Sequence, residues 1–388
     1  MVSKQTNSGF ITTRLRDLEE SHLYRRMKSV SVQGPTAIVD GKKVIHLCSN
    51  DYLGLAQNQR VIGKASKALK EVSQCSSRLI AGNSPWITEL EAQLAVHRKT
   101  EAALVFPTGY MANLGAITAL AGKNSTILSD EFNHASIIDA CKLSGAAVKI
   151  FKHNDTEHLE GLIRKASRRR IIVTEGIFSM DGDISSLKQI CKVAQEHDAI
   201  TVVDDAHGDF IFGRGFSGVP SLLNTKVDIH VSSLSKGLGC FGGYAAASAK
   251  VVELLINTSK QFIYTSALPD HLCVAAGEAM KLAKRGNLQA RLNVNIAFLR
   301  KKLVEAGFAI GNSSSQIIPI MIGREDTALE FSKELLKRGV FAQPVRYPTV
   351  KKGSARLRLS VTAAHTREQL GQALEVLQTV GKRQKILV

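Results

Sequence analysis

Short apolar runs alternate with longer amphipathic stretches through the middle of the chain. The apolar runs, each four or five residues long, lie at 103–106, 125–128, 147–151, 170–174, 200–203 and 227–231. The stretches with helical periodicity lie at 61–72, 89–97, 136–143, 159–167 and 186–197. Strands that alternate with helices are typical of crossover units, which build a mostly parallel sheet covered by helices. We therefore predict an α/β large domain over residues 51–280.

The two ends of the chain follow other patterns. Residues 1–50 contain an amphipathic helical arm and a strand pair, 37–39 and 44–47, around the turn residues Asp40 and Gly41. From residue 281 the predicted order is helix 283–306, strand 317–322, helix 327–338, strands 340–345 and 356–361, and helix 367–377. That order predicts a smaller α+β C-terminal domain over 281–388.

The composition is that of a globular protein. Of the 388 residues, 44% are hydrophobic and 22% are charged, which excludes the disordered and fibrous classes. No apolar run reaches 18 residues, so we expect no membrane-spanning helix, and the N-terminus lacks the apolar core of a secretory signal. The six cysteines have neither metal-site nor disulfide spacing. We expect a cytoplasmic protein without a metal site.

The chain is strongly basic, with 51 Lys and Arg against 34 Asp and Glu and a formal net charge of +17. Such a surface suits nucleic acid, anionic lipid or a polyanionic small substrate. Aromatic residues make up only 5% of the chain, fewer than a base-stacking surface usually needs. We therefore expect small anionic substrates, with no nucleic-acid or membrane partner.

Polar residues follow three of the predicted strands, at the edge where parallel sheets hold ligands. A turn at Pro107-Thr108-Gly109 opens a helix after the first strand, and backbone N–H groups there suit a phosphate, although an ordinary turn is the alternative. Asp204 and His207 follow the strand at 200–203, where they could hold a heterocyclic cation or simply cap a helix. Lys236 follows 227–231 among serines and glycines, which suits a covalent bond to a carbonyl better than a surface lysine. The three features together, each after a different strand, indicate a ligand site more specifically than any one of them does alone.

Two further segments after strands carry weaker signals. His134 could stack over a flat cofactor, although a hydrogen-bonded polar histidine is the more usual reason for such a residue. The segment 175–182 is rich in turn residues and acids, which is also typical of a long capped loop.

Together these residues resemble the fold type I pyridoxal phosphate enzymes and, more narrowly, the α-oxoamine synthase family. The matching stretches are Ser49–Leu55 (SNDYLGL), Asn133–Ser136 (NHAS), Thr174–Gly182 (TEGIFSMDG), Val203–Gly208 (VDDAHG) and Ala355–Leu359 (ARLRL). The resemblance covers nearly the whole chain and implies an aminotransferase-like fold with pyridoxal 5′-phosphate as cofactor. The chain departs from the family at two places, because it lacks the usual glycine-rich run before Arg78 and has Ser235 where glycine is common.

The resemblance implies roles around the coenzyme ring. Lys236 would bond the coenzyme covalently and act as the catalytic base, and Asp204 would pair with the ring nitrogen. His207 would contact the ring hydroxyl, with Ser179 nearby. His134 would stack on the ring face and act in catalysis.

The same resemblance implies which residues bind the coenzyme phosphate and how the subunits assemble. The backbone N–H groups of Gly109 and Tyr110 and the hydroxyl of Ser233 would bind the phosphate. The family is dimeric with composite sites, so Thr265 would reach the phosphate of the neighbouring subunit in a homodimer.

Five positions match the substrate side of the family's sites. Arg358 would bind the amino-acid carboxylate, with Arg356 as the near alternative. Arg25, Thr349 and Asn50 correspond to other substrate-side positions.

The implied reaction is a decarboxylative condensation of an amino acid with an acyl thioester. The sequence at 153–155, 175–183, 204–207 and 362–365 most resembles members that join L-alanine to a pimeloyl group, on CoA or a carrier protein, in biotin biosynthesis. The alternative is glycine with acetyl-CoA in threonine breakdown.

Two other classes of protein fit less well. A nucleotide-dependent dehydrogenase would need G-x-G-x-x-G after the first strand, a spacing that the turn at Gly109 lacks. A catalytically inactive binding protein would not need Lys236, Asp204 and His207 intact.

Overall fold

The computed structural model describes residues 7–167 and 169–387. Its N-terminal part consists of helix α1 (Asn7–Glu20) and strands β1 (Val30–Gln33), β2 (Thr36–Val39) and β3 (Lys42–His46). Asp40 and Gly41 join β2 to β3 with positive φ angles of 47° and 83°, as a tight type I′-like hairpin requires. The predicted strand pair is confirmed, and β1 adds a third strand to it.

The central part alternates strands and helices as predicted, with element ends that differ by up to four residues, as helix ends commonly do. Its first elements are α2 (Gln59–Ala68), α3 (Pro85–Arg98), β4 (Ala102–Phe106), α4 (Gly109–Leu120), β5 (Ser125–Asp130), α5 (Ala135–Ser144), β6 (Ala147–Phe151), α6 (Thr156–Ile163) and β7 (Arg169–Glu175). They are followed by α7 (Leu187–Glu196), β8 (Ala199–Asp204), α8 (Gly218–Leu222), β9 (Ile229–Ser233), β10 (Gly243–Ala247), α9 (Ala249–Thr258), α10 (Lys260–Ile263) and α11 (Asp270–Ala283).

A seven-stranded sheet forms the centre of the molecule. Its strand order is β4-β10-β9-β8-β7-β5-β6, and only β10 runs antiparallel to its neighbours. The carboxyl ends of the other six strands therefore lie along one edge, which is where ligands bind in sheets of this kind.

Strand β10 is absent from the sequence prediction. Its five residues, Gly-Tyr-Ala-Ala-Ala, carry no β-branched side chain, so local preference does not indicate a strand. Pairing with β4 and β9 decides the structure instead, and all five residues are buried. Gly243 has no room for a side chain, because a Cβ there would lie 2.3 Å from the backbone nitrogen of Gly109.

The C-terminal part is smaller and mixed. It contains α12 (Asn287–Glu305), β11 (Ile317–Gly323), α13 (Glu325–Lys337), β12 (Val340–Phe341), β13 (Gln343–Val345), β14 (Ala355–Ser360) and α14 (Arg367–Arg383). Strands β11, β14 and β13 form an antiparallel sheet in that order.

The prediction of one strand over 340–345 is wrong. Strand β12 pairs in parallel with β3 of the N-terminal sheet, whereas β13 pairs with β14. The chain changes sheets at the buried Ala342. Pro344 lies in β13 at a sheet edge, where the missing N–H of proline is tolerated.

The α/β fold class with a mostly parallel sheet and a smaller C-terminal part is confirmed. One continuous apolar core joins residues of the first 60 positions, the central helices and the C-terminal elements. The domain limits at 50 and 280 stay predictions, and residue 280 lies within α11. Among the described residues, no helix has the length and apolarity needed to span a bilayer.

Candidate active site

Four adjacent strands bring the predicted polar side chains to one edge of the sheet. Lys236 follows β9, Asp204 ends β8, Ser179 lies in the loop after β7, and His134 lies between β5 and α5. Because these strands are neighbours in the order β9-β8-β7-β5, residues more than 100 positions apart share one site.

Lys236 carries the free amine of this site. Its Nζ lies 2.9 Å from His207 Nε2, and within the described part of the chain it forms no salt bridge. Burial lowers the pKa of Lys236, and the nearby Asp204 and Glu175 carboxyls oppose part of that change. The amine is therefore more often neutral, and so more nucleophilic, than a surface lysine.

His207 connects Lys236 to the core. Its Nδ1 lies 2.7 Å from the Tyr52 hydroxyl, and that hydroxyl also accepts a hydrogen bond from Arg358 Nη2 at 3.3 Å. Burial, with the charges of Lys236 and Arg358, lowers the pKa of His207 well below its ordinary value. The imidazole is therefore neutral and can exchange a hydrogen bond with a neighbouring hydroxyl.

Two carboxyl groups lie beneath the site with different protonation. Asp204 accepts hydrogen bonds from Asn113 Nδ2 at 2.6 Å and from the backbone N–H of Ala206 at 2.9 Å. Burial and the charge of Asp204 raise the pKa of Glu175 well above its ordinary value. Glu175 is therefore protonated more readily than a surface glutamate. The Asp204 carboxylate, which accepts two hydrogen bonds, suits a protonated ring nitrogen.

His134 lies close enough to Asp204 and Lys236 for both charges to act on it. It caps the N-terminus of α5, where its Nδ1 accepts from the backbone N–H of Ser136 at 3.3 Å. Burial lowers the pKa of His134, so its ring is mostly neutral near pH 7.

The start of α4 packs closely against Ser233 and forms a candidate phosphate site with it. Gly109 and Tyr110 are the first residues of this helix, where backbone N–H groups have no acceptor within the helix. A Cβ on Gly109 would lie 2.9 Å from Ser233 Cβ, so only glycine lets the two segments meet. The Ser233 hydroxyl contacts the Ser235 hydroxyl at 2.7 Å. Amide and hydroxyl donors grouped in this way suit a phosphate.

The two candidate arginines differ in their partners. The Arg356 guanidinium is paired with the Asp181 carboxylate. Arg358 donates instead to Ser179 O at 2.5 Å, Ser360 Oγ at 2.9 Å and Asn50 Oδ1 at 3.2 Å, and no carboxylate among the described residues pairs with it. Arg358 is therefore the guanidinium available for a substrate carboxylate.

Three predicted residues lie outside this cluster. Arg25 is exposed and lies near Arg346, whose pKa is lowered by burial and by the charge of Arg25. Thr265 lies beyond α10. In the ranges that the structure describes, no hydrogen bond or ion pair joins Arg25 or Thr265 to Lys236 or Asp204. Thr349 is exposed at the mouth of a neighbouring cavity.

That cavity has a volume of about 290 Å³. It opens between the loops after β5 and β7 on one side and the segment 347–356 on the other. Its apolar lining comes from Phe132, Ile138, Phe178, Met180, Pro348 and Val350. The charged groups at its walls are already paired, Lys351 with Glu131 and Arg356 with Asp181. The cavity therefore suits the apolar part of a chain next to the polar site.

Sequence reasoning missed two residues of the site. Tyr52 is fully buried and bonds His207, and Asn113 is 1% exposed and bonds Asp204. Asn113 lies one helical turn after Gly109, a spacing that would have placed it under the same edge. Tyr52 gives no local signal, because its partners are 155 and 306 positions away.

The arrangement fits pyridoxal 5′-phosphate. Gly109 has no Cβ to exclude a phosphate, the Lys236 amine contacts the neutral imidazole of His207, and the Asp204 carboxylate accepts hydrogen bonds. Lys236 would bond the aldehyde, Asp204 would face the ring nitrogen, and Ser233 with the α4 amides would bind the phosphate.

The family model for aminotransferase classes I and II matches residues 42–377. The chain is 42% identical over 387 residues to the 8-amino-7-oxononanoate synthase of Thermoanaerobacter pseudethanolicus, which covers 97% of this chain and 98% of that protein. It is 39% identical over 386 residues to 8-amino-7-oxononanoate synthase 1 of Bacillus subtilis, with coverage of 97% and 98%.

Solved structures share the fold over the whole chain. The serine palmitoyltransferase of Sphingomonas wittichii superposes with a TM-score of 0.92 at 29% identity and covers 100% of both chains. A structure of SPT with PLP has a TM-score of 0.91 at 31% identity over 98% of each chain. The 8-amino-7-oxononanoate synthase of Francisella tularensis has a TM-score of 0.77 at 26% identity and covers 88% of this chain and 99% of that one.

Proposed function

The chain belongs to the aminotransferase class I and II family and, within it, to the α-oxoamine synthases, and from this premise we propose that it is an 8-amino-7-oxononanoate synthase. In this reaction L-alanine is joined to a pimeloyl thioester, carbon dioxide and the free thiol carrier leave, and the product enters biotin biosynthesis. The observation that carries the proposal is the Lys236 amine, held 2.9 Å from the neutral His207 above the Asp204 carboxylate.

Pyridoxal 5′-phosphate, when bound, supplies an electron sink for the substrate Cα. Lys236 Nζ, with its pKa lowered by burial, accepts the proton from alanine Cα and returns one at the end of the cycle. Arg358 binds the alanine carboxylate and orients the Cα–H bond toward that amine. His134 lies where it can donate to the thioester oxygen as negative charge develops there.

The remaining site residues bind the coenzyme and orient the substrate. His207 and Ser179 contact the ring hydroxyl side, Gly109, Tyr110 and Ser233 bind the phosphate, and Asn50 supports Arg358 at 3.2 Å. Arg25 and Thr349 act at the substrate entrance.

The cavity beside the site favours a long acyl chain over acetyl. At about 290 Å³ and with an apolar lining, it is near the lower end of small-molecule pockets, roughly 300 Å³, and far larger than a two-carbon group needs. We place the pimeloyl methylenes there. The glycine and acetyl-CoA reaction leaves this cavity without a role.

A substrate panel tests the proposed reaction. Alanine and glycine are each combined with acetyl, succinyl, pimeloyl and palmitoyl thioesters, and thiol release is measured. We expect alanine with the pimeloyl thioester to give the highest kcat/KM. A clear preference for glycine with acetyl-CoA would overturn the proposal.

Borohydride reduction tests the coenzyme assignment separately. The purified protein should be yellow, and reduction followed by proteolysis should leave the coenzyme on the peptide that contains Lys236. A colourless protein that takes up no pyridoxal phosphate contradicts the assignment.

We further propose a homodimer in which Thr265 of each subunit completes the phosphate site of the other. Mixing Lys236→Ala protein with Thr265→Ala protein tests this, because a heterodimer would contain one site with both native residues. Activity should rise above that of either variant alone after subunit exchange. No gain in a mixture shown to have exchanged would rule out the shared site.

The proposed setting is the cytoplasm. The six cysteines are all free thiols in the structure, as is usual for proteins in a reducing compartment. We propose no nucleic-acid partner, since the basic surface is accounted for by the phosphate groups of CoA or the acidic surface of a carrier.

A further inference from the structure

A chain of buried hydrogen bonds links the two sides of the coenzyme site. It runs from Asp204 through Asn113 and Ser136 to His134. We propose that Asn113 and Ser136 are positioning residues, which fix the proton of His134 on Nε2 and thereby make that atom the hydrogen-bond donor toward the substrate.

The series of hydrogen bonds starts at the Asp204 carboxylate, which accepts hydrogen bonds. Both carboxylate oxygens of Asp204 accept hydrogen bonds, Oδ1 from the backbone N–H of Ala206 at 2.9 Å and Oδ2 from the side-chain amide of Asn113 at 2.6 Å. The amide must therefore turn its NH₂ group toward the carboxylate. This orientation leaves Asn113 Oδ1 without a hydrogen-bond partner in the described residues, so the bond to the charge determines which way the amide faces.

The second hydrogen of the same NH₂ group determines the direction of the next bond. Asn113 Nδ2 donates to Ser136 Oγ at 2.9 Å. Since the serine oxygen accepts this bond, its own hydrogen is free to point elsewhere, and His134 Nδ1 lies 2.8 Å from it. Ser136 therefore donates to the imidazole.

A second donor confirms the role of Nδ1. The backbone N–H of Ser136, which cannot accept, also points at His134 Nδ1 at 3.3 Å. With two donors directed at it, Nδ1 carries a lone pair. Burial keeps the ring neutral by lowering its pKa, so its single proton is on Nε2.

The burial of the linking residues makes the chain stiff. Asn113 is 1% exposed and Ser136 is fully buried, so water does not compete for these bonds. Asn113 comes from α4, which also presents Gly109 at its start, and Ser136 comes from α5. Helices α4 and α5 therefore orient both Asp204, which would face the coenzyme ring nitrogen, and the tautomer of His134.

The use of this proton in the reaction rests on the proposed function. An Nε2–H can stabilise negative charge on the thioester oxygen, whereas the other tautomer would present a lone pair to it and repel it. The tautomer itself does not depend on which substrate the enzyme takes.

Nitrogen-15 NMR of the ligand-free full-length protein tests the tautomer directly. Histidine is labelled with ¹⁵N, and the His134 signals among those of the 11 histidines are assigned by their loss in His134→Gln. We expect an unprotonated Nδ1 and a protonated Nε2 in the wild type. A protonated Nδ1 in the wild type would overturn the proposal.

Variants test the linking residues. In Asn113→Ala and in Ser136→Ala the His134 shifts should move toward averaged values, because one or both donors lose their orientation. The control is Thr118→Ala on the same helix, which also removes a side-chain hydrogen bond, to Leu114 O, and should leave the shifts unchanged. If Asn113→Ala does not fold, Ser136→Ala decides. Wild-type shifts in a folded linking variant would refute the positioning role.

Coenzyme affinity gives an independent readout. Asn113→Ala removes a charge-assisted bond to Asp204, so the Kd for pyridoxal 5′-phosphate should rise roughly tenfold or more. An unchanged Kd would contradict the link to Asp204. The His134 tautomer and the Kd can match these expectations while the substrate panel shows no preference for alanine with the pimeloyl thioester. In that case the proposed function is wrong, and the positioning role of Asn113 and Ser136 is unaffected.

Discussion

At the scale of single residues, burial shifts the pKa values of the ionisable groups in the site. Lys236, His207 and His134 all have lowered pKa values with burial as the main cause. Burial and the neighbouring Asp204 raise the pKa of Glu175. The buried bases of the site therefore bind protons less readily than exposed ones, which leaves them able to accept a proton from a substrate.

Replacement of Lys236 by Ala should abolish turnover without unfolding the protein. Loss of a positioned general base typically costs about 10²–10⁴ in rate, and the loss of covalent coenzyme binding adds to that. Turnover is measured by thiol release and folding by circular dichroism. Lys333→Ala, on the exposed face of α13, is the control and should keep full activity.

Arg358→Gln should raise KM for alanine by roughly tenfold or more, because the substrate carboxylate loses a charge-assisted bond. Arg356→Gln makes the same chemical change two residues away on β14, but it removes the pair with Asp181 and should act mainly on stability. Steady-state kinetics with varied alanine separate the two. A larger KM effect in Arg356→Gln would reverse the assignment.

At the scale of elements, the loops after β5 and β7 are fastened together by one histidine. His153 Nδ1 lies 3.0 Å from Asp130 at the end of β5, and its Nε2 lies 2.8 Å from Asp183 in the loop after β7. Its ring stacks on Phe132 at 4.4 Å. These loops carry His134 and Ser179, so the distance between two site residues depends on a group outside the site.

This fastening should weaken with rising pH. Although burial acts against it, hydrogen bonds to Asp130 and Asp183 raise the pKa of His153 to about 10. Since the ordinary pKa is about 6.5, the stabilisation is complete below about pH 6.5 and is lost as the pH rises to about 10. The difference in free energy of unfolding between wild type and His153→Gln should shrink by up to about 1.4 kcal/mol per pH unit in that window. Urea unfolding at several pH values measures it, and a constant difference would contradict the assignment.

Helix α14 begins with a reciprocal capping box. The Thr366 hydroxyl accepts from the Gln369 backbone N–H, and the Gln369 side chain accepts from the Thr366 backbone N–H. Thr366→Ala should lower the free energy of unfolding by about 1 kcal/mol. Thr379→Ala, which removes a hydroxyl that donates to Glu375 O inside the same helix, should change it less. Equal losses in chemical denaturation would argue against the cap.

How far sequence predicts these elements depends on where their partners lie. Strands such as β7 and β8 follow from short apolar runs, and the loops after them carry the chemistry. Strand β10 could not be predicted from its small residues, because β4 and β9 make it a strand. The split between β12 and β13 likewise depends on the distant β3. For the site, the polar residues that follow strands could be named from the sequence, and the helical spacing of Asn113 from Gly109 could have added that residue. Tyr52 could not be named, because its partners His207 and Arg358 are distant in the sequence.

At the scale of the whole molecule, the excess of 17 positive charges would attract the phosphate groups of the proposed CoA thioester. The acidic residues at the cavity are paired internally, so the net positive field is available to approaching anions.

Salt should therefore slow the reaction with a CoA thioester more than with a thioester that lacks phosphate. Raising ionic strength from about 0.01 M to about 0.15 M shortens the screening length from about 30 Å to about 8 Å. We expect kcat/KM for pimeloyl-CoA to fall several-fold, and that for the pimeloyl thioester of pantetheine, which lacks phosphate, to fall less. Equal falls for the two thioesters would show that charge steering is absent.

The pairing of β12 with β3 joins strands that are far apart in the order of synthesis. Strand β3 ends at His46, and its partner begins at Val340. At about 5–20 residues per second, a ribosome needs roughly 15–60 s to make the intervening chain. During that time the growing chain carries an open strand edge that other nascent chains can bind. We therefore expect the edge of β3 to need shielding, for example by a chaperone, until β12 has been synthesised.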